Sequence, residues 1–123
     1  MEEVKRILKD HALFLITTPN LAAWYNRLLL LCGIMPIHYE ISLKKKYGRI
    51  FRQLGEGSRA VKHIRVFTPC ALSKLLQDNG FKILELVGLQ FIFDGYISKV
   101  LDKVFASTPS LSSMFLILAG KSG

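Results

Sequence analysis

The segment from His63 to Gly88 constrains the fold most, because it encodes a helix, its end and a strand in succession. Thr68 can accept a hydrogen bond from a free backbone N–H at a helix start, and Pro69 fits the first helical position, where no N–H is needed. Gly80 supplies the left-handed residue that ends a helix, and Phe81 then packs back onto it. One apolar face of this helix is formed by Leu72, Leu75 and Leu76.

Three segments of the chain predict strands. Lys82–Val87 alternates polar with apolar residues, which is typical of a strand. Ala12–Thr18 and Met114–Ala119 are apolar on both faces, as expected inside a covered sheet. A helix is predicted over Leu21–Cys32, with Asn20 as its cap. Helices alternating with apolar strands predict an α/β sheet that is covered on both faces.

Two further helices and one extended segment complete the predicted elements. Met1–Lys9 has the spacing of a helix end, and Ile37–Leu43 alternates as an extended segment does. Asp94 is the predicted cap of the last helix. Apolar residues mark two adjacent rows on one face of that helix: Tyr96, Ile97, Val100, Leu101, Val104 and Phe105.

The composition indicates one folded domain. The chain has 123 residues, half of them hydrophobic, which excludes a disordered or low-complexity protein. Cys32 and Cys70 lack metal-ligand spacing, so we expect reduced, structural thiols, which fit a cytoplasmic location. The chain opens without a secretory signal pattern, and its longest apolar run, Leu28–Ile37, is too short to span a bilayer.

Basic residues are concentrated between Lys44 and Arg65. This segment holds eight Lys and Arg residues and one acid, Glu56, so it carries +7 of the net charge of +8. One interpretation is a partner with negative charge, such as a phosphate, a lipid headgroup or nucleic acid. The other is a solvated, flexible loop over Lys44–Lys62, which contains three glycines. Nucleic acid is the least favoured partner, because that interpretation rests on charge alone.

The order of several motifs resembles a known family. The segments are ILKDHALFLITTPN, WYNRLLLLCGIMPIH, HIRVFTPCALSKLLQDNGFKILEL and MFLILAGK, and together they span nearly the whole chain. They resemble the C-terminal half of class I S-adenosylmethionine-dependent methyltransferases of the type 11 and ubiquinone/menaquinone-biosynthesis-like group. The resemblance implies a single partial domain over residues 1–123. In its Rossmann-like sheet, Ala12–Thr18 is strand five, Lys82–Val87 is strand six, and Met114–Ala119 is an antiparallel strand seven between them.

The cofactor-binding residues of that family have no counterpart in this sequence. The chain has no cluster of the form GxGxG, and Lys9–Ala12 stands where the family often carries glycines. The resemblance therefore implies that the N-terminal cofactor-binding half is missing and that this chain alone binds no S-adenosylmethionine. The Leu13–Thr18 strand would then be an unpaired, apolar edge. Such an edge favours pairing with a complementary N-terminal half or with a second copy.

Candidate substrate-binding residues are Asn20, Trp24 and Arg65. Asn20 ends a strand, where ligands bind in open α/β sheets, although it can equally cap the next helix. Trp24 lies on the helix that covers the substrate in the family, and packing is its other role. By resemblance, Arg65 lies near the mouth of the active site. Its guanidinium can bind a carboxylate or phosphate, or tie down the loop.

No catalytic residue is assigned, but three side chains are candidates. His38 and Glu40 would share a face of an extended segment, where they could act as a base and its orienting acid. The alternative is a pair of surface residues. His63 is the third candidate, because it would share a face with Arg65 in an extended segment. By resemblance, that segment lies near the mouth of the active site. The three histidines lack the clustered spacing of metal ligands, so no metal site is predicted.

Two functions remain open from the sequence. The first is the substrate-side half of a methyltransferase that acts on a small-molecule or lipid-like acceptor and is inactive alone. The second is a non-catalytic interaction module, which would bind a partner chain or an anionic membrane surface through the strand edge, the basic segment and Leu28–Ile37. A cytoplasmic location, peripheral to a membrane in the second case, fits both.

Overall fold

The computed structural model describes residues 1–49, 56–60, 65–91 and 94–121. Each predicted strand is present, with small shifts at its ends. In chain order the helices and strands are α1 (Glu2–Ile7), β1 (Leu13–Pro19), α2 (Trp24–Leu31), α3 (Pro69–Asp78), β2 (Phe81–Leu89), α4 (Tyr96–Ala106) and β3 (Met114–Lys121).

The three strands form one sheet in the order β1-β3-β2. The middle strand, β3, is antiparallel to both neighbours, so β1 and β2 run parallel to each other. This order and these directions agree with the predicted arrangement of the three strands. The chain is therefore a mixed α/β protein with a small antiparallel sheet.

The hydrophobic core lies on one face of this sheet. Leu72 and Leu76 of α3 are buried against Phe81, Phe115 and Ile117. The predicted apolar face of α3 is confirmed at these two leucines, whereas Leu75 is exposed. Partly buried side chains from both sheet edges, α1 and the segment before α3 complete the core: Val4, Leu8, Phe14, Ile16, Phe67, Ile83 and Leu86.

Helix α3 begins and ends as the sequence predicts. The Thr68 hydroxyl accepts a hydrogen bond from the backbone N–H of Ala71 at 3.2 Å, and Pro69 occupies the first turn. Gly80 follows the helix with a φ of 79°, a conformation that costs glycine little. Phe81 then enters the core beside Leu76.

The prediction of a sheet covered on both faces is wrong, because the second face is exposed. Leu13 and Leu15 are each 57% exposed there, and Leu84 and Val87 are exposed as well. The reason is that α1 and α3 both pack on the core face. Helices α2 and α4 instead contact the segment 109–113 that precedes β3.

Three local predictions are wrong. Helix α2 begins after Ala23 rather than Asn20, and α4 begins after Gly95, with no capping bond from a side chain. Cys32 and Cys70 are free but exposed, so neither thiol belongs to the core.

Candidate functional site

The candidate site lies at the end of the sheet where β1 and β2 finish and β3 begins. Asn20 follows β1, Phe91 lies just beyond β2, and Ser113 immediately precedes β3. Because β1 and β2 are parallel, their carboxyl ends lie at the same end of the sheet. Open α/β sheets bind ligands at the carboxyl ends of their strands. The segments that converge here therefore carry the candidate functional side chains.

The Asn20 side chain is fully buried and binds backbone on both of its ends. Its Nδ2 donates to the carbonyl of Ser112 at 2.8 Å and lies within 3.3 Å of the carbonyls of Pro109 and Ser110. Its Oδ1 accepts from the N–H of Ala22 at 3.0 Å, which closes the turn before α2. Asn20 thus fixes the chain at the site. Its predicted contact with a substrate would require these bonds to open.

Asp102 of α4 joins four segments at this end of the sheet. The carboxylate is 1% exposed and accepts hydrogen bonds from three donors. These are the Trp24 indole N–H at 3.1 Å, the Phe91 backbone N–H at 2.6 Å and the Ser113 hydroxyl. A buried carboxylate is tolerated when its acceptor positions are filled in this way. Asp102 therefore positions α2, α4, the end of β2 and the start of β3 relative to one another.

Tyr25 lies beside this carboxylate. Burial raises the pKa of its phenol to about 12, and the negative charge of Asp102 adds to the shift, while a hydrogen bond with Ser113 opposes it. The phenol consequently stays protonated throughout the physiological range. It is suited to donate a hydrogen bond rather than to act as a base.

Trp24 has the packing role that was weighed against substrate recognition. Its ring stacks on Phe105 of α4, with ring centroids 5.6 Å apart and planes at 24°, and meets Tyr25 edge-on. Its N–H is bound by Asp102. A contact of Trp24 with a substrate stays a prediction.

His38 and Glu40 do not share a face. The segment turns here, because His38 has a φ of 69° and the N–H of Tyr39 bonds to the carbonyl of Pro36. The His38 ring meets the Phe91 ring at 5.2 Å, whereas Glu40 is buried and its Oε1 lies 3.9 Å from the Lys46 Nζ. The predicted extended segment over Ile37–Leu43 is therefore wrong. The base and acid pair predicted from that segment therefore loses its geometric basis.

Part of the basic segment has paired backbone, although several of its side chains are exposed. Lys45 and Arg59 form an antiparallel bridge, flanked by backbone bonds between Lys46 and the residues 57–58. Arg49 is buried, and its backbone N–H donates to Glu56 at 2.6 Å. Burial lowers the pKa of Arg49, against the opposing charges of Glu40 and Glu56.

The basic side chains of the segment differ in what the structure describes of them. Lys44, Lys45, Arg59 and Arg65 are exposed. Arg52, Lys62 and the catalytic candidate His63 lie outside the described residues. The flexibility of the loop stays a prediction.

Arg65 lies close to the site by its place in the backbone. Two residues later, Phe67 forms a parallel bridge with Asn20, and its carbonyl accepts from the N–H of Leu21 at 3.0 Å. This brings the segment before α3 to the end of β1. The Arg65 side chain is exposed, so its guanidinium is accessible to an anion.

Comparison with known proteins gives no family assignment. The chain matches no protein-family model and no curated protein. In the described part of the chain, no helix is long and apolar enough to cross a bilayer, and no group of side chains is arranged to hold a metal ion. Interpretation of the site therefore depends on its own geometry.

The site has residues that the sequence did not single out. Asp102, Tyr25 and Ser113 form its buried polar centre. A single acid within the otherwise apolar and basic α4, and a Ser-Ser pair before a buried strand, were the available signals. Beside this centre, an open cavity of about 280 Å³ is lined by Gln90, Phe91, Lys99 and Lys103.

Proposed function

We propose that this chain forms the substrate-side half of an S-adenosylmethionine-dependent methyltransferase domain that acts on a small-molecule or lipid-like acceptor. The observation that carries the proposal is the strand order β1-β3-β2, with an antiparallel strand between two parallel ones. The resemblance in sequence implies this order for strands five, seven and six of the methyltransferase sheet. The strand order thus supports the same interpretation as the sequence motifs.

The chain's own residues do not fit the methyl donor. The sequence has no glycine-rich cluster through which backbone could approach a cofactor. We therefore assign the cofactor to a complementary segment and derive no step through it. What this chain supplies is a wall beside the ends of β1 and β2.

Rigidity of that wall is the chemical contribution that the geometry supports. Methyl transfer requires an acceptor held in line with the methyl carbon, and alignment supplies much of the rate. The buried Asp102, with its bonds to Trp24, Phe91 and Ser113, holds the wall in a fixed arrangement. The accessible Arg65 is the proposed contact for an acidic group on the acceptor.

The outer edge of β1 is the proposed junction with the complementary segment. Within the described residues, β1 pairs only with β3, so its other edge presents free backbone groups. Leu13 and Leu15 expose apolar surface next to this edge. An added strand would satisfy the backbone groups and cover part of that surface.

A fusion experiment tests the proposal. The glycine-rich, cofactor-binding half of a class I methyltransferase is joined ahead of Met1, and S-adenosylmethionine binding is measured by calorimetry for the fusion and for each half. We expect binding by the fusion alone, with new amide-exchange protection in β1. The matched variants are Leu15→Lys at the edge, which should reduce protection and binding, and Leu75→Lys on the exposed side of α3, which should not.

Two results would contradict the proposal. One is specific micromolar binding of S-adenosylmethionine by the unfused chain, which would place a cofactor site within these residues. The other is a folded fusion in which β1 gains no protection and no cofactor binds. That result would favour the non-catalytic interaction module.

A further inference from the structure

Helix α4 is oriented with its apolar face towards solvent. Its fully buried side chain is polar, because Asp102 faces inwards and is bound by three donors, while the half-buried Phe105 stacks on Trp24. Tyr96, Ile97 and Val104 are 83%, 75% and 61% exposed, and Val100 and Leu101 are exposed as well. At 100° per residue these five side chains lie on one face, opposite Asp102.

This surface has a basic border. Lys99 and Lys103 are one helical turn apart, on the side of the helix next to the exposed row, and both are exposed. With Gln90 and Phe91 they line the open cavity of about 280 Å³ beside the helix. The surface thus pairs apolar side chains with two positive charges and a recess large enough for a headgroup phosphate.

We propose that α4 docks this protein onto an anionic membrane surface. The helix would lie in the plane of the interface, with Ile97, Val100 and Val104 at the boundary between headgroups and acyl chains. Lys99 and Lys103 would contact lipid phosphates. A helix with a continuous apolar face and lysines beside it is the usual design for this mode of binding. The proposal stands whether or not the chain takes part in methyl transfer.

Length and charge favour a bilayer surface over other occupants. Helix α4 has 11 residues, about 16 Å at 1.5 Å per residue, which suits an interfacial helix and not a spanning one. A second copy docked on this face by a two-fold axis would bring lysines close to lysines, in chains that each carry a net charge of +8. Anionic lipid instead neutralises that charge.

Vesicle sedimentation of the full chain tests this docking surface. The vesicles contain phosphatidylcholine alone or equal parts of phosphatidylcholine and phosphatidylserine. We expect binding to the phosphatidylserine vesicles that weakens with added salt. Lys99→Gln with Lys103→Gln should lower the partition coefficient roughly 30-fold, from about fivefold for each lysine. Ile97→Ser with Val104→Ser should lower it roughly 100-fold, from about tenfold for each side chain that loses its apolar burial.

Matched controls lie on other helices. Ile7→Ser removes a similarly exposed apolar side chain from α1, and Lys74→Gln removes an exposed lysine from α3. Both should leave the partition coefficient within about twofold of the parent. Circular dichroism of each variant checks that the helices are retained, as expected for substitutions of exposed residues.

Hydrogen exchange on the vesicles locates the contact. Protection confined to α4 and the adjoining Gln90–Phe91 segment supports the proposal. Vesicle binding that is lost equally with the Lys74→Gln control, or protection that appears elsewhere, overturns it. A chain that ignores vesicles but forms dimers that the Ile97 and Val104 substitutions dissociate also overturns it, in favour of a second copy as the occupant.

Discussion

Helices α3 and α4 have similar apolar periodicity and use it in opposite ways. In α3, Leu72 and Leu76 are buried in the core, and the charged side chains face solvent. In α4, the buried residue is Asp102, and the apolar row from Tyr96 to Val104 faces solvent. The comparison shows that periodicity identifies the residues that share a face, but not the direction in which that face points.

The direction is decided by what each helix meets. Helix α3 lies against the apolar face of β2 and β3, so burial of leucines is favourable there. Helix α4 meets backbone and side-chain donors from Trp24, Phe91 and Ser113. These donors need an acceptor once they are buried, and only the Asp102 side of α4 supplies one.

The largest expected difference between the helices is in the free energy of unfolding that is lost when an apolar side chain is truncated to alanine. Leu76→Ala should lower the free energy of unfolding by about 3 to 4 kcal/mol, since it opens a cavity beneath α3. Ile97→Ala on α4 should change it by less than about 0.5 kcal/mol, because that side chain is exposed. Urea unfolding followed by circular dichroism measures both. Equal losses would mean that α4 buries its apolar row.

The next effect concerns the polar side of α4. Asp102→Ala should lower the free energy of unfolding by about 3 kcal/mol, because it leaves three buried donors without an acceptor. The exposed Asp94, just before the helix, serves as the control, and Asp94→Ala should be nearly neutral. Urea unfolding again gives the values. A small effect at Asp102 would show that water readily replaces the carboxylate.

The smallest effect is a fall in stability at alkaline pH, which arises from Tyr25 of α2 where it lies beside Asp102 of α4. Because the pKa of Tyr25 is raised to about 12, the unfolded chain loses its proton first, and stability falls as pH rises from about 10 to 12. The loss is at most about 2 to 3 kcal/mol, because each pKa unit corresponds to about 1.4 kcal/mol.

Below pH 10 this contribution is fully present, so the test is the difference between the parent and Tyr25→Phe across the alkaline range. The variant should show a flatter fall in stability, measured by urea unfolding at each pH. Tyr96→Phe on the exposed row of α4 is the matched control and should follow the parent. Parallel curves for all three proteins would contradict the buried environment of Tyr25.

The predictable parts of the fold are those with local signals. Thr68 and Pro69 define the start of α3 and Gly80 defines its end, and the apolar composition of Met114–Ala119 indicates the central strand. The order of the strands followed from the resemblance in sequence, and the structure agrees with it. Such signals require no knowledge of distant partners.

The candidate site was less predictable, because its contacts join residues far apart in sequence. Trp24 and Asp102 are separated by 78 positions, and Asn20 and Ser112 by 92. The pairing of His38 with Glu40 was a local inference. It failed because a turn at His38 directs the two side chains to different neighbours, Phe91 and Lys46.

The central position of β3 has a consequence for synthesis. Both other strands pair with β3, yet β3 is made last, about a hundred residues after β1. While the chain emerges from the ribosome, β1 and β2 therefore have no pairing partner, and the sheet closes only through contacts of long sequence separation, which form slowly. Until then the apolar edges of β1 stay unpaired, a condition that favours aggregation.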